Sequence, residues 1–141
     1  QQVHADPHIL EGYSILGLAL DIAGRRSEAT ETLREGLERD SGNVKMLREL
    51  AWNLATTQDA QARNGGEAVR FAQIMVKRFP ENADFLHVLA AAQAENGEFE
   101  KAVETARKGL KLAEVAKNGN LAEMIRHCIG QYKRGRSIRS N

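Results

Sequence analysis

Two segments of the chain, 73 residues apart, carry closely similar sequences. Residues 24–37 read GRRSEATETLREGL and residues 97–110 read GEFEKAVETARKGL, so that seven of fourteen positions are identical. This level of identity is improbable by chance in a chain of 141 residues. The chain is therefore built from internal repeats, which constrains its fold more than any single residue does.

The spacing of two sets of landmark residues measures the period of this repeat. Leucines are separated by 34 and then 39 residues, and alanines by 39 and then 34: Leu16, Leu50, Leu89 and Ala29, Ala68, Ala102. One insertion of five residues between Leu50 and Ala68 reconciles the two orders. The underlying period is 34 residues, which predicts stacked helical hairpins with one continuous core.

The composition favours helices and a single domain. Of the 141 residues, 42% are apolar and 5% aromatic, and alanine and leucine supply most of the apolar content. Such residues favour helices over sheets. The single cysteine, Cys128, excludes an intrachain disulfide, and no apolar run is long enough to span a membrane. We expect a soluble all-α domain, and the start at Gln1 is consistent with a piece of a longer or anchored protein.

Apolar residues recur every three or four positions in each repeat, as expected of helices with one buried face. In the first repeat this pattern involves Ile9, Tyr13, Leu16, Leu20 and Ala23. Gly24 is predicted to end this helix, and Ser27 to cap the next one. Small residues at the landmark alanines are expected where paired helices cross, because they let the backbones approach closely.

The domain organisation follows from the period. We predict a flexible N-terminal segment at residues 1–8, a repeat domain at 9–134 and a basic C-terminal tail at 135–141. The repeats span about 10–43, 44–82 and 83–116, followed by a capping helix at 119–134. The inserted residues should extend the middle hairpin between Thr57 and Asn64, as a longer first helix or a protruding loop. The cap should bury four side chains against the helix of the third repeat that contains Val103 and Leu110: Leu121, Met124, Ile125 and Ile129.

Charge is distributed unevenly along the chain. Residues 121–141 have a net charge of +4, whereas the whole chain has +1. A basic tail can contact phosphate, but such tails are more often solvated helix ends, and we adopt the solvated interpretation. No nucleic acid partner is expected.

The landmark residues resemble those of the tetratricopeptide repeat (TPR) family. That family's pattern has a Leu-Gly pair in the first helix, Ala in the second and Pro at the end. The matching residues here are Leu16, Gly17 and Ala29; Leu50, Ala51, Ala68 and Pro80; and Leu89, Ala90 and Ala102. The lengthened middle repeat is similar to a variant common in multidomain bacterial proteins. The resemblance implies a right-handed superhelical solenoid of about three hairpins plus a capping helix.

In this family the first helix of each repeat lines a concave groove, which implies where a partner would bind. Arg48 and Trp52 stand four residues apart on one helix face, and both residue types are enriched in interface hot spots. With Asp84 and His87 they form the predicted recognition patch, and Ser14 and Asp21 are further groove candidates. Trp52 could equally fill the core between repeats, and we expect His87 to be solvated.

Other functions have weaker support in the sequence. One TPR subclass clamps the carboxylate of chaperone peptides with Lys, Asn and Arg; here Ser14, Leu18, Glu49, Asp84 and Val88 stand at its positions, so that mode is not expected. No phosphate loop, paired Cys motif or nucleophile elbow is present. His4 and His8 flank Asp6 in a segment expected to be flexible, and adjacent His127 and Cys128 diverge on a helix. We therefore expect no metal and no cofactor.

The sequence thus predicts a noncatalytic scaffold that binds a peptide or protein in its groove. Two alternatives remain open. The chain could be the substrate-positioning part of a larger enzyme or membrane protein, or a module that assembles with copies of itself.

Overall fold

A computed structural model describes residues 6–140 of the chain. This part contains seven α-helices and no strand, which confirms the all-α prediction. The helices are α1 (Pro7–Ile22), α2 (Arg26–Arg39), α3 (Val44–Thr56), α4 (Gly65–Arg78), α5 (Ala83–Glu95), α6 (Phe99–Val115) and α7 (Gly119–Lys133). Consecutive helices pack against each other, so that α1 to α6 form three hairpins and α7 covers α6. The fold is a helical repeat solenoid.

Asparagine starts most of the helices. The side-chain oxygens of Asn43, Asn64, Asn82 and Asn118 each accept a backbone N–H three residues later, at 3.0 to 3.2 Å. These bonds satisfy a donor that the first helical turn leaves unpaired. Every helix that follows a longer connection is therefore fixed at its first turn by one side chain.

The turns of the first and third hairpins are built differently. Gly24 and Gly97 both adopt a φ of +80°, a left-handed conformation that glycine reaches without strain. This requirement explains why the two glycines coincide in the sequence repeat. The predicted cap by Ser27 is wrong: Arg25 precedes α2 without a side-chain capping bond, and the Ser27 hydroxyl lies 3.4 Å from Asp59. The tight glycine turn places Ser27 inside the helix.

Small residues set the spacing between the helices. Ala29, Ala68 and Ala102, which mark the second helix of each repeat, are completely buried. At Gly36 an added Cβ would clash with the Met46 sulfur of the next repeat. A larger side chain at such a position would push the hairpins apart.

The five inserted residues lie in a loop. Residues 57–64 connect α3 to α4, whereas three residues suffice in the other two hairpins, and α3 and α5 are both 13 residues long. Thr57 is buried, and Arg63 donates to the Thr57 carbonyl at 3.0 Å and lies 3.7 Å from the Glu95 carboxylate. The loop is therefore packed against the C-terminal end of α5.

Helix α1 differs from the prediction at both its start and its face. It begins at Pro7, with Asp6 accepting the His8 N–H at 2.9 Å, so residues 7 and 8 are helical and not flexible. Residues 1–5, including His4, lie outside the described part. The predicted buried stripe is also wrong, because only Gly17 of α1 is fully buried and large apolar side chains are exposed: Ile9, Ile15, Leu16, Leu18 and Ile22. Helix α1 stands at the edge of the stack and is covered on one side only.

The capping helix buries three of the four predicted side chains. Ile125 and Ile129 are buried and Leu121 is half-buried, in one cluster with Val103 and Leu110 of α6. The prediction for Met124 is wrong, because its side chain is 54% exposed. Met124 points away from α6, toward the side of α7 that faces α3 and α5. None of the helices in residues 6–140 is long and apolar enough to cross a membrane.

This difference gives a matched test of the cap. Ile125→Ala should lower the free energy of unfolding by about 2 to 5 kcal/mol, because a fully buried side chain is truncated. Met124→Ala, one residue earlier on the same helix, should cost at most about 1 kcal/mol because Met124 is largely exposed. Urea denaturation followed by circular dichroism measures both. Equal losses in the two variants would contradict the orientation of α7.

Candidate functional site

The first helices of the hairpins line the inner side of the stack. Helix α3 packs against α1 and α5, and α5 also contacts α7. Among residues 6–140, no two of the second helices α2, α4 and α6 contact each other. The stack is therefore curved, with α1, α3, α5 and α7 on the side where neighbours are closest. We call this inner side the groove.

Four of the predicted site residues meet in the groove, where α3 faces α5. Arg48 donates to both carboxylate oxygens of Asp84, from Nε at 2.9 Å and from Nη2 at 3.0 Å. Its guanidinium carbon lies 5.7 Å from the centre of the Trp52 ring, and that ring lies 5.1 Å from the centre of His87. We call Arg48, Trp52, Asp84 and His87 the groove cluster.

The ion pair at one end of the cluster is stable in its charged form. Burial lowers the pKa of Arg48, but the hydrogen bonds with Asp84 reverse this effect and the net pKa is raised. Burial raises the pKa of Asp84, but the bonds from Arg48 dominate and the net pKa is lowered. Both side chains are therefore charged near neutral pH, and the forked donors of Arg48 that face Asp84 are already in use.

His87 is a buried residue, which overturns the prediction that it is solvated. Its side chain lies under Trp52, and the residue is 3% exposed. Burial lowers the pKa of His87, and the positive charge of Arg48 adds to this effect, whereas Asp84 opposes it. The imidazole is therefore neutral near neutral pH. Trp52 is half-buried: it packs against the core and also faces the groove, so both interpretations of this residue hold in part.

A cavity of about 680 Å³ lies beside the cluster. Its walls come from α3, α5, α7 and the chain that follows α7, and they include Trp52, His87, Met124, His127, Gln131 and Ile138. The sequence analysis treated α7 only as a cap and missed its share of this wall. The available signal was an amphipathic helix that carries His127 and Gln131 on positions turned away from its apolar stripe.

The chain after α7 turns back into the groove. Gly135 adopts a φ of +68°, and residues 136–140, which we call the post-cap segment, run without helix or strand structure across the ends of the first helices. The Ser137 hydroxyl lies 3.3 Å from the Ala94 carbonyl, and the Ser140 N–H donates to the Thr56 carbonyl at 2.8 Å. The prediction of a solvated tail at 135–141 is therefore wrong for Ser137 to Ser140.

The two remaining predicted residues lie away from the groove cluster. Ser14 lines a shallow cavity of about 400 Å³ between the starts of α1 and α3. Asp21 lies 3.4 Å from Arg26 and lines a cavity of about 610 Å³ that also contains Thr57, Asp59 and Ser140. Asp21 is thus near the post-cap segment, and Ser14 is near neither.

Metal binding and thiol chemistry have no favourable arrangement here. Within residues 6–140, no group of three or more His, Cys, Asp or Glu side chains could hold a metal ion. Cys128 is buried, and burial raises the pKa of its thiol although a hydrogen bond with Tyr132 opposes this effect. Its neighbour His127 is exposed on a different face of α7.

Comparison with known proteins supports the fold. The chain matches no protein-family model and no curated protein. Among solved structures, it is similar to a mutant of MamA, a TPR-containing protein, with a TM-score of 0.63 and 20% sequence identity. The similarity covers 93% of this chain and 75% of that one. The chain therefore has a TPR-like repeat fold.

The buried neutral histidine predicts a pH dependence of stability. Because the folded state lowers the pKa of His87, the unfolded chain binds this proton more readily. Stability should be complete above the ordinary histidine pKa of about 6.5 and should fall as the pH decreases below it. Denaturation midpoints at pH 5, 6, 7 and 8 measure the slope, and His87→Gln should flatten it.

His127→Gln is the matched control, because His127 is an exposed histidine that lines the same cavity. Trp52 is the single tryptophan of the sequence, so its fluorescence reports on the same site. A slope that His127→Gln reduces as much as His87→Gln would contradict the assignment to His87.

Proposed function

We propose that this protein is a noncatalytic scaffold whose groove binds a segment of a protein partner. One observation carries this proposal: the edge of the groove already holds an extended piece of polypeptide, residues 137–140, through backbone as well as side-chain groups. A surface that pairs with main-chain groups in this way is suited to peptide recognition. The similarity to MamA supports the repeat fold and leaves the partner undefined.

The groove cluster is the proposed centre of recognition. Trp52 presents part of its ring to the cavity, and Met124 and Ile138 supply apolar walls beside it. An apolar side chain of the partner would bury Trp52 and Met124, which gains roughly 25 cal/mol for each Å² removed from water. Arg48 and Asp84 satisfy one another and orient the Trp52 ring, so they contribute shape more than free charge.

A second candidate function is self-assembly, and the exposed face of α1 favours it. Five large apolar side chains of this helix are at least 47% exposed: Ile9, Ile15, Leu16, Leu18 and Ile22. A continuous apolar face of this kind marks an interaction surface. Attachment of the chain to a larger enzyme or membrane protein remains the third possibility, with the groove then positioning that protein's substrate.

Substitutions in the groove cluster test the primary proposal once affinity capture has supplied a partner. Trp52→Ala or Arg48→Ala should weaken binding by about 2 kcal/mol, about 30-fold, at whichever is a hot spot. Lys111→Ala, at an exposed position of the second helix α6, is the control and should leave affinity unchanged. Titration calorimetry measures the affinity, and circular dichroism verifies that helicity is intact. Unaltered binding in both groove variants would exclude the cluster as the site.

A further inference from the structure

The three polar groups of Ser140 are all engaged by the repeat domain. Its N–H donates to the Thr56 carbonyl at 2.8 Å, and its carbonyl accepts from the Gln58 side chain at 3.0 Å. Its hydroxyl accepts from the Arg26 guanidinium at 2.6 Å and lies 3.2 Å from the Thr56 hydroxyl. Hydrogen bonds to a charged donor are stronger than neutral ones. This site therefore reads both a backbone and a small hydroxyl side chain.

The two preceding residues are recognised by different chemistry. A guanidinium nitrogen of Arg139 lies 2.7 Å from the Glu95 carboxylate, whose side chain is 18% exposed. Ile138 is half-buried and packs against the apolar cluster of α5, α6 and α7. The groove edge thus contacts an apolar, a basic and a hydroxyl residue in consecutive positions. We call this surface, formed by Arg26, Thr56, Gln58 and Glu95 with the adjoining apolar wall, the peptide seat.

All three repeats contribute to the peptide seat. Arg26 belongs to the first hairpin, Thr56 and Gln58 to the second, and Glu95 to the third. Gln58 lies in the connection that contains the inserted residues, and Arg63 of the same loop lies 3.7 Å from Glu95. The insertion therefore builds part of the seat, which gives the departure from the 34-residue period a role.

We propose that the peptide seat binds extended partner segments in which an apolar residue, a basic residue and a serine follow one another, and that residues 138–140 occupy it in competition with them. This inference rests on the proposed function, because it names the partner class of the same groove. A segment tethered to the domain acts at a high effective concentration, so a partner meets a seat that is mostly filled. The apparent affinity for the partner falls by the fraction of seats that are free.

The two arginines of the post-cap segment allow a matched test in the full chain. Arg136 and Arg139 are both exposed, but only Arg139 forms an ion pair with the domain among the described residues. Arg139→Glu should repel Glu95 and release the segment, whereas Arg136→Glu makes the same change of charge without touching the seat. The probe is a fluorescein-labelled peptide of residues 134–141 with the natural sequence, followed by fluorescence anisotropy.

We expect the probe to bind the Arg139→Glu chain at least about tenfold more tightly than the wild-type chain, because the competing segment is released. The Arg136→Glu chain should behave as wild type. Adding Glu95→Lys to Arg139→Glu reverses both charges, which should dock the segment again and return probe binding to the weak wild-type level. Amide exchange at Ser140 should be slow in the wild-type and doubly substituted chains and fast in Arg139→Glu.

Equal probe affinity in the wild-type, Arg136→Glu and Arg139→Glu chains, or no binding to any of them, would overturn the inference. So would fast Ser140 exchange in the wild-type chain. A partner that still needs Trp52 and Arg48 in those circumstances would leave the proposed function standing without this inference. Light scattering that shows a wild-type dimer dissociating on Arg139→Glu would place the segment in a second copy's seat, which contradicts competition within one chain.

Discussion

The close approach of paired helices at completely buried alanines is the constraint on which the rest of the structure depends. Ala29, Ala68 and Ala102 let each second helix lie against its first helix, and this contact sets the angle of every hairpin. Because the hairpins then stack with one geometry, α3 and α5 present the same face to the groove. The bidentate bond between Arg48 and Asp84 is a consequence of this register, since these residues belong to different repeats.

Much of the architecture could be predicted from the sequence because repeats state the same physical requirement more than once. Gly24 and Gly97 coincide because each occupies a left-handed position, and the opposite order of the 34 and 39 steps confines the insertion to residues 57–64. Individual burial could not be predicted in the same way. His87 is buried by Trp52, and Met124 is exposed because α7 turns it toward the groove. These outcomes depend on contacts between helices, which a helical period does not specify.

The docking of the post-cap segment was the largest departure from expectation. Its arginines predict a solvated tail, because composition alone gives no reason for Ser140 to bind residues 82 and 84 positions earlier in the chain. The partners that hold it are themselves inconspicuous in sequence: Thr56 ends a helix, Gln58 lies in the inserted loop and Glu95 ends another helix. The groove was correctly placed by the repeat register, whereas the occupant of its edge depends on tertiary structure.

The electrostatics divide the groove into two parts with different modes of recognition. In the groove cluster, Arg48 and Asp84 neutralise each other and His87 is held neutral by burial, so the cavity beside Trp52 presents shape and apolar surface. At the peptide seat, Glu95 and Arg26 face groups of the post-cap segment and supply charge and directed hydrogen bonds. An apolar cavity alone selects weakly between similar side chains, and polar groups that would be left unpaired by a wrong ligand select strongly. Affinity in this groove should therefore come mainly from the cavity, and selectivity from the seat.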